Sequence, residues 1–119
     1  MTLTLLYRKT LENLRRVSAG DPADADDTTL VADKYVELYD MLAGESLTAW
    51  AVDADVPDYA AAPLTEMLSC LCAGSFGQDP TAYAVRGALG LSPPSWAERM
   101  LRRQLARTYI SNTVQADYF

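Results

Sequence analysis

Residues 64–76 read LTEMLSCLCAGSF, a stretch that decides the fold because it is apolar on nearly every side of a helix. Its larger apolar side chains recur at helical spacing, which predicts a buried face. These side chains are Leu64, Met67, Leu68, Leu71 and Cys72. A helix that is apolar all round is buried among other helices. We therefore predict the central core helix here, capped by Asp58, with Pro63 tolerated near the first turn, and ended by residues 74–77.

Two amphipathic helices are predicted upstream of this core helix. The first runs from about Leu3 to Ser18, and the Ala-Gly pair that follows stops it. The second begins at a cap provided by Asp24, Asp26 or Asp27, and Gly44 ends it. The apolar face of the second helix consists of Val31, Tyr35, Leu38 and Leu42.

The segment between the second helix and the core helix, SLTAWAVDADVP at residues 46–57, has a different pattern. Side chains alternate between two faces from Leu47 to Val52, which is typical of a strand. So short a strand does not support a sheet alone. We predict an extended crossover, or an edge strand that a neighbour completes.

Two further helices are predicted after the core helix. Asp79 and Pro80 open a shorter helix toward Leu89, and Ser95 caps a last helix from Trp96 to about Tyr109. The inward stripe of the last helix is predicted to be Ala97, Met100, Leu101, Gln104, Leu105 and Thr108. The arginines on its other side are Arg99, Arg102, Arg103 and Arg107.

These elements predict an all-α fold, a compact bundle of four to five helices with a short extended crossover, and we assign residues 1–110 to this helical domain. The tail at residues 111–119, SNTVQADYF, has neither period nor cap. Such a chain end is either frayed or, given Tyr118 and Phe119, an anchor for a partner's pocket.

Length and composition limit the class of protein. The 119 residues suffice for one domain, and their 50% hydrophobic content argues against an intrinsically disordered chain. No apolar run approaches the roughly 20 residues needed to cross a bilayer. Basic residues near the N-terminus follow an apolar patch, the reverse of a signal peptide, so synthesis in the cytoplasm is expected.

Charge is unevenly distributed along a chain whose net charge is −6. Twelve carboxylates oppose one lysine from Asp21 to Glu66, whereas the segments up to Gly20 and from Glu98 to Arg107 are net positive. The acidic middle is expected to repel nucleic acid. It is either a solvated face or, with the basic ends, a means of attracting copies of the same chain.

The residues offer little for catalysis or metal binding. There is no histidine, and no glycine-rich loop ends in the Lys-Ser/Thr pair of a phosphate-binding loop. Cys70 and Cys72 do not face each other on a helix, so we predict free, buried thiols. The aspartates after Gly20 lack the glycine and glutamate of a calcium loop. We predict no enzymatic activity, no metal and no cofactor. Trp50 fits either the core or an interface.

The order of several motifs carries a resemblance. The first helix ends in VSAGDPADADD at residues 17–27, and the second closes in YDMLAGES at residues 39–46. LTAW and DVPDY come next, before the apolar run PLTEMLSCLCAGSFG at residues 63–77. Over roughly residues 3 to 77 the chain resembles the head-to-tail adaptor proteins of tailed bacteriophages, the group that includes the tail accessory factor of short-tailed phages.

The resemblance implies a virion structural protein at the head-tail junction. Such proteins form a ring, typically of about twelve copies, below a portal of the same symmetry. The ring extends the DNA channel, helps to retain packaged DNA and provides an attachment platform for the tail. The implied partners are the portal protein, a tail or nozzle protein and other copies of the chain. Packaged double-stranded DNA passes through without specific binding, and no membrane is involved.

Two sets of contact residues follow from this reading. The resemblance implies that residues 111–119 form an extended C-terminal arm. Its portal-binding part is expected to comprise Val114, Gln115, Ala116, Asp117, Tyr118 and Phe119. The inter-subunit residues are expected to be Asp24, Asp26, Asp27, Asp33, Trp50, Arg99, Arg102, Arg103 and Arg107. In the ring, the arginines of one copy would face the aspartates of the next.

Two other functions compete with the adaptor. One is a small intracellular helical binding module of a regulatory kind, which would dock its acidic surface on a basic partner. The other is a carboxylate-dependent hydrolase, which would need two acids in one cleft. Nothing in the sequence singles out two of the sixteen carboxylates.

Overall fold

A computed structural model describes the backbone of residues 1–117 and the side chains of residues 1–106. That backbone forms five α-helices and no strand, which confirms the predicted all-α fold. The helices are α1 (Leu3–Asn13), α2 (Ala25–Gly44), α3 (Asp58–Cys72), α4 (Thr81–Gly87) and α5 (Trp96–Asp117). A 3₁₀ turn, Ala73–Phe76, continues α3.

Helix α3 is the centre of the bundle, as its apolar sequence predicts. It packs against α1, α2, α4 and α5. The core side chains that it contributes are fully buried: Ala60, Leu64, Met67, Leu68 and Cys72. The other helices also cover the sides of α3 that would face solvent in a helix at the surface. Leu71 is partly buried and packs at the edge of this core.

Helix α1 ends at Asn13, five residues before the predicted Ser18. Arg15 adopts a left-handed backbone with φ 61°, which no helix continues. Its N–H donates to the Glu12 carbonyl at 3.0 Å, and the Arg16 N–H donates to the Leu11 carbonyl at 2.9 Å. This is a Schellman motif in which an arginine takes the position that glycine usually occupies. The predicted stop at the Ala-Gly pair was wrong because the Schellman motif at Arg15 has already ended the helix.

Helix α2 begins at the predicted kind of cap and ends near the predicted glycine. The Asp24 carboxylate accepts a hydrogen bond from the Asp26 N–H at 2.8 Å. Gly44 is the last helical residue, and the reversal occurs at Ser46, whose φ is 58°. The Leu47 N–H then donates to the Leu42 carbonyl at 2.9 Å, which closes a second Schellman motif.

The crossover between α2 and α3 contains no strand, so the strand-like interpretation of residues 47–52 was wrong. Leu47 and Val56 are buried, while Val52 between them is exposed. The segment follows the core surface irregularly, because no strand among the described residues is available to pair with it. Asp58 is the first residue of α3 and makes no side-chain cap. Its carboxylate lies 3.5 Å from the Met1 amine instead.

The two C-terminal helices differ from their predicted ends. Helix α4 stops at Gly87 rather than near Leu89. Helix α5 begins as predicted, because the Ser95 hydroxyl accepts a hydrogen bond from the Glu98 N–H at 3.3 Å. It continues to Asp117, so the expected extended conformation was wrong for residues 111–117. No glycine or proline interrupts the chain after Pro94, which removes the usual causes of a helix stop.

The inward stripe of α5 is confirmed only in part. Ala97 and Leu101 are buried, and Met100 and Gln104 are half-buried. Leu105 is 40% exposed, against the prediction. The remaining predicted positions have side chains outside the described residues. These are Arg107, Thr108 and the arm residues Val114, Gln115, Ala116 and Asp117; Tyr118 and Phe119 lie outside them altogether.

Candidate functional site

The outer surface of α2 carries a row of carboxylates that we call the acidic face. It consists of Asp26, Asp33, Glu37 and Asp40, all exposed. At 3.6 residues per turn these positions form a narrow stripe about 21 Å long, opposite the buried side of the helix. The buried side is Val31, Tyr35, Leu38 and Leu42, as predicted. The fold therefore turns this charge outward along most of α2.

The acidic face is largely free of compensating charge within the chain. Among residues 1–106, no ion pair joins Asp26, Asp33 or Asp40 to a cation. Glu37 accepts a contact from Lys34 Nζ at 3.5 Å but remains mostly exposed. Exposed carboxylates without an ion pair produce a negative potential at the surface, which attracts a cationic group of another molecule.

The first half of α5 carries the opposite charge, which we call the basic face: Arg99, Arg102 and Arg103. Arg102 is occupied within the chain, since its guanidinium lies 3.2 Å from a Glu45 oxygen and 3.6 Å from a Glu98 oxygen. Arg99 and Arg103 are exposed and make no ion pair within the described side chains. These two arginines are the available cations of this face.

Some of the aspartates predicted at the inter-subunit contact are used within the chain, and others lie on the acidic face. Asp24 serves as the cap of α2, and Asp27 lies 3.2 Å from the Arg16 guanidinium. Asp26 and Asp33 form no ion pair with any side chain of residues 1–106 and share the acidic face with Glu37 and Asp40. Glu37 and Asp40 were not among the predicted contact residues, although their helical spacing from Asp33 was the signal that would have found them.

Trp50 belongs to a row of aromatic rings inside the chain. Neighbouring centroids lie 6.0 Å apart for Tyr7 and Tyr35, 6.4 Å for Tyr35 and Tyr39, and 6.5 Å for Tyr39 and Trp50. The Trp50 indole N–H donates to the Tyr35 hydroxyl at 3.0 Å, and the Tyr39 hydroxyl donates to the Trp50 carbonyl. Burial raises the pKa of Tyr35. Trp50 thus fixes the crossover to α2, and its N–H is already used within the chain.

Both cysteines are free, and the structure buries them unequally. Cys70 is half-buried, whereas Cys72 is buried in the core. Burial raises the pKa of the Cys72 thiol to about 11. It also raises the pKa of Cys70. Because the thiolate is the nucleophile, this environment makes Cys72 an inert core residue.

We expect iodoacetamide at pH 8 to spare Cys72 in the folded protein. With a pKa of about 11, the thiolate fraction of Cys72 is on the order of one in a thousand at that pH, and burial also denies access. Mass spectrometry of native and guanidinium-treated samples would measure the modification of each thiol. Cys70, on the same helix, is the internal control. Modification of Cys72 at the denatured rate under native conditions would contradict this burial.

A cleft of about 550 Å³ lies between α1 and α3. Three carboxylates line it, and each has a cationic neighbour within the chain. Glu12 lies 3.1 Å from Arg8, Asp58 3.5 Å from the Met1 amine, and Glu66 3.3 Å from Arg86. Each of these carboxylates therefore has its charge partly compensated within the chain.

Among the described residues, no group of three or more His, Cys, Asp or Glu side chains is placed to hold a metal ion. None of the helices in this part of the chain is both long and apolar enough to span a bilayer. Comparisons with protein families, with curated proteins and with solved structures find no match.

Proposed function

We propose that this chain is a head-to-tail adaptor of a tailed bacteriophage, a virion structural protein that forms a ring below the portal. The ring would extend the DNA channel, retain packaged DNA and provide the attachment platform for the tail. The order of motifs over roughly residues 3 to 77 supports the proposal. The all-helical architecture is compatible with it.

One observation carries the proposal furthest: an exposed acidic face on α2 and an exposed basic face on α5 occur in one small domain. Copies arranged head to tail around a closed ring use two different surfaces of each subunit. Opposite charges on those surfaces favour the correct orientation and disfavour like-to-like contacts. Exposed ion pairs contribute only about 0–1 kcal/mol each, so apolar contacts must supply most of the affinity.

The negative charge of the chain also suits a channel for DNA. A wall that passes DNA must not bind it, and carboxylates repel phosphates within a Debye length of about 8 Å at physiological salt. The net charge of −6 gives a ring of such chains an overall repulsion for DNA. In this function DNA passes the ring without a specific contact.

The test is sedimentation of the purified chain, alone and mixed with a candidate portal ring. We expect the 13.0 kDa chain to join the portal in about twelve copies, following the symmetry of the ring above it. Failure to bind any portal from tailed phages would contradict the adaptor function. The exposed acidic face would then favour the helical binding module, with a basic cellular partner.

Removal of residues 114–119 should leave a folded protein that no longer binds the portal. These residues are the proposed docking arm, and circular dichroism should show that the truncated chain stays helical. The measurement is portal co-sedimentation of the truncated and full-length chains. A matched variant, Tyr118→Ala with Phe119→Ala, keeps the length and tests the aromatic anchors alone. Portal binding by the truncated chain at full strength would refute the arm proposal.

A further inference from the structure

An apolar pocket lies beside the basic face of α5, where α4 and the following loop meet the start of α5. Its volume is about 350 Å³, and we call it the Leu91 pocket. Its lining includes Val85, Leu91, Pro93, Pro94 and Arg99. Val85 is 78% exposed and Leu91 is 44% exposed. Large apolar side chains this exposed and grouped around a concave surface are typical of a protein contact site.

The charge at the rim of the pocket restricts what can occupy it. Arg99 lines the pocket, and Arg103 follows one helical turn later. Neither forms an ion pair among the described side chains. A complementary partner therefore presents an apolar side chain for the pocket and carboxylates beside it for the two arginines.

The acidic face of α2 offers that combination. Val36 is 49% exposed, with Asp33 three residues before it and Asp40 four residues after it. Residues at these steps lie on the same side of a helix, so one apolar side chain stands between two carboxylates. Asp33 and Asp40 are about 10 Å apart along the helix axis, and Arg99 and Arg103 about 6 Å, a difference that flexible arginines can span.

Both surfaces are exposed in one copy, so neither covers the other within the chain. We propose that the Leu91 pocket, with Arg99 and Arg103, is the docking site for the Val36 side of the acidic face of a second copy. The inference deepens the proposed ring, because it names the apolar contact that exposed ion pairs cannot replace. Each chain contributes two different surfaces, the Leu91 pocket to one neighbour and the Val36 side of the acidic face to the other, as head-to-tail assembly requires.

Charge reversal in two separate variants tests the pairing. One variant carries Asp33→Arg with Asp40→Arg, and the other carries Arg99→Asp with Arg103→Asp. Each variant alone then has two surfaces of the same sign and should remain monomeric in sedimentation equilibrium. An equimolar mixture again places opposite charges at every contact, exchanged where the first variant offers α2 and native where the second does, so it should associate as the wild type does at concentrations up to about 1 mM.

A control variant separates this contact from a general effect of charge. Asp53→Arg with Asp55→Arg changes the net charge by the same amount as the Asp33 and Asp40 variant does, but these residues lie beside Val52 in the crossover. It should associate like the wild type. Loss of association in this control, with none in the Asp33 and Asp40 variant, would assign the contact to the crossover and overturn the proposal.

The apolar part of the contact has its own test. Val36→Ser and Val85→Ser change exposed side chains, so both variants should fold normally. Each should weaken self-association at least tenfold, at high salt as well as at low salt, because apolar contact is not screened. An unchanged association constant in both would overturn the proposal.

The remaining outcomes distinguish this proposal from the adaptor function. A wild-type chain that stays monomeric up to about 1 mM overturns the docking site. A mixture of the charge-reversed variants that stays monomeric while the wild type associates also overturns it. In either case, portal co-sedimentation still decides the adaptor function independently.

Discussion

Gly87→Ala is expected to destabilise the fold by about 3 kcal/mol, at the upper end of the range for overpacked cores. Gly87 is buried at the end of α4, where this helix crosses α3. A Cβ atom there would lie 2.2 Å from the Glu66 carbonyl oxygen and 2.6 Å from its carbon. These are backbone atoms of the central helix, so relief requires α4 to move away from α3. Urea denaturation followed by circular dichroism would measure the loss.

Gly44→Ala is the matched control for this prediction. Gly44 is also the last residue of its helix, and a Cβ there would meet no atom within 4 Å. Alanine restricts the unfolded chain more than glycine does, so this variant should gain about 0.5 kcal/mol. Equal denaturation midpoints for the two variants would show that α3 and α4 do not approach as closely as described.

The central helix could be predicted from sequence because its signal is local. The spacing of Leu64, Met67 and Leu68 gives the buried face directly, and Ser95 marks the start of α5 through its position before an amphipathic run. Gly87 had no such signal. Its importance comes from contact with Glu66, a residue of another helix, and no local pattern contains that information.

The crossover and the C-terminal segment show where local patterns fail. Six residues of alternation at 47–52 suited a strand, but a strand needs a partner, and the chain instead buries Leu47 and Val56 in the core. In residues 111–117, the absence of a helical period and the family resemblance suggested an extended arm. The backbone stays helical there because hydrogen bonding continues along a helix until something interrupts it.

The charge of the candidate site could be predicted from sequence, but the residues that form it could not. Composition alone separated the acidic middle from the basic ends. The pairing of Arg16 with Asp27 and of Arg102 with Glu45 depends on which helix ends meet in the fold. The Leu91 pocket was missed for the same reason, since α4, a loop and α5 each contribute to it.

Leu68→Ala is expected to cost about 3 kcal/mol of the free energy of unfolding. Leu68 is fully buried in α3, the helix against which the other four pack. Removing its side chain loses apolar burial and leaves a cavity whose walls belong to several helices, so the bundle can collapse only partly into the space. The measurement is again the urea transition, analysed as a two-state process.

Leu71→Ala, one turn further along α3, is the control because Leu71 is only partly buried. It should cost about 1 kcal/mol, since water can fill much of the space that the side chain leaves. Equal losses for the two variants would contradict the central position of α3. Leu68 lies in the core, away from both charged faces and the Leu91 pocket. Under conditions where the Leu68→Ala variant remains folded, its self-association should therefore match that of the wild type, because core packing and assembly depend on different surfaces of the same helices.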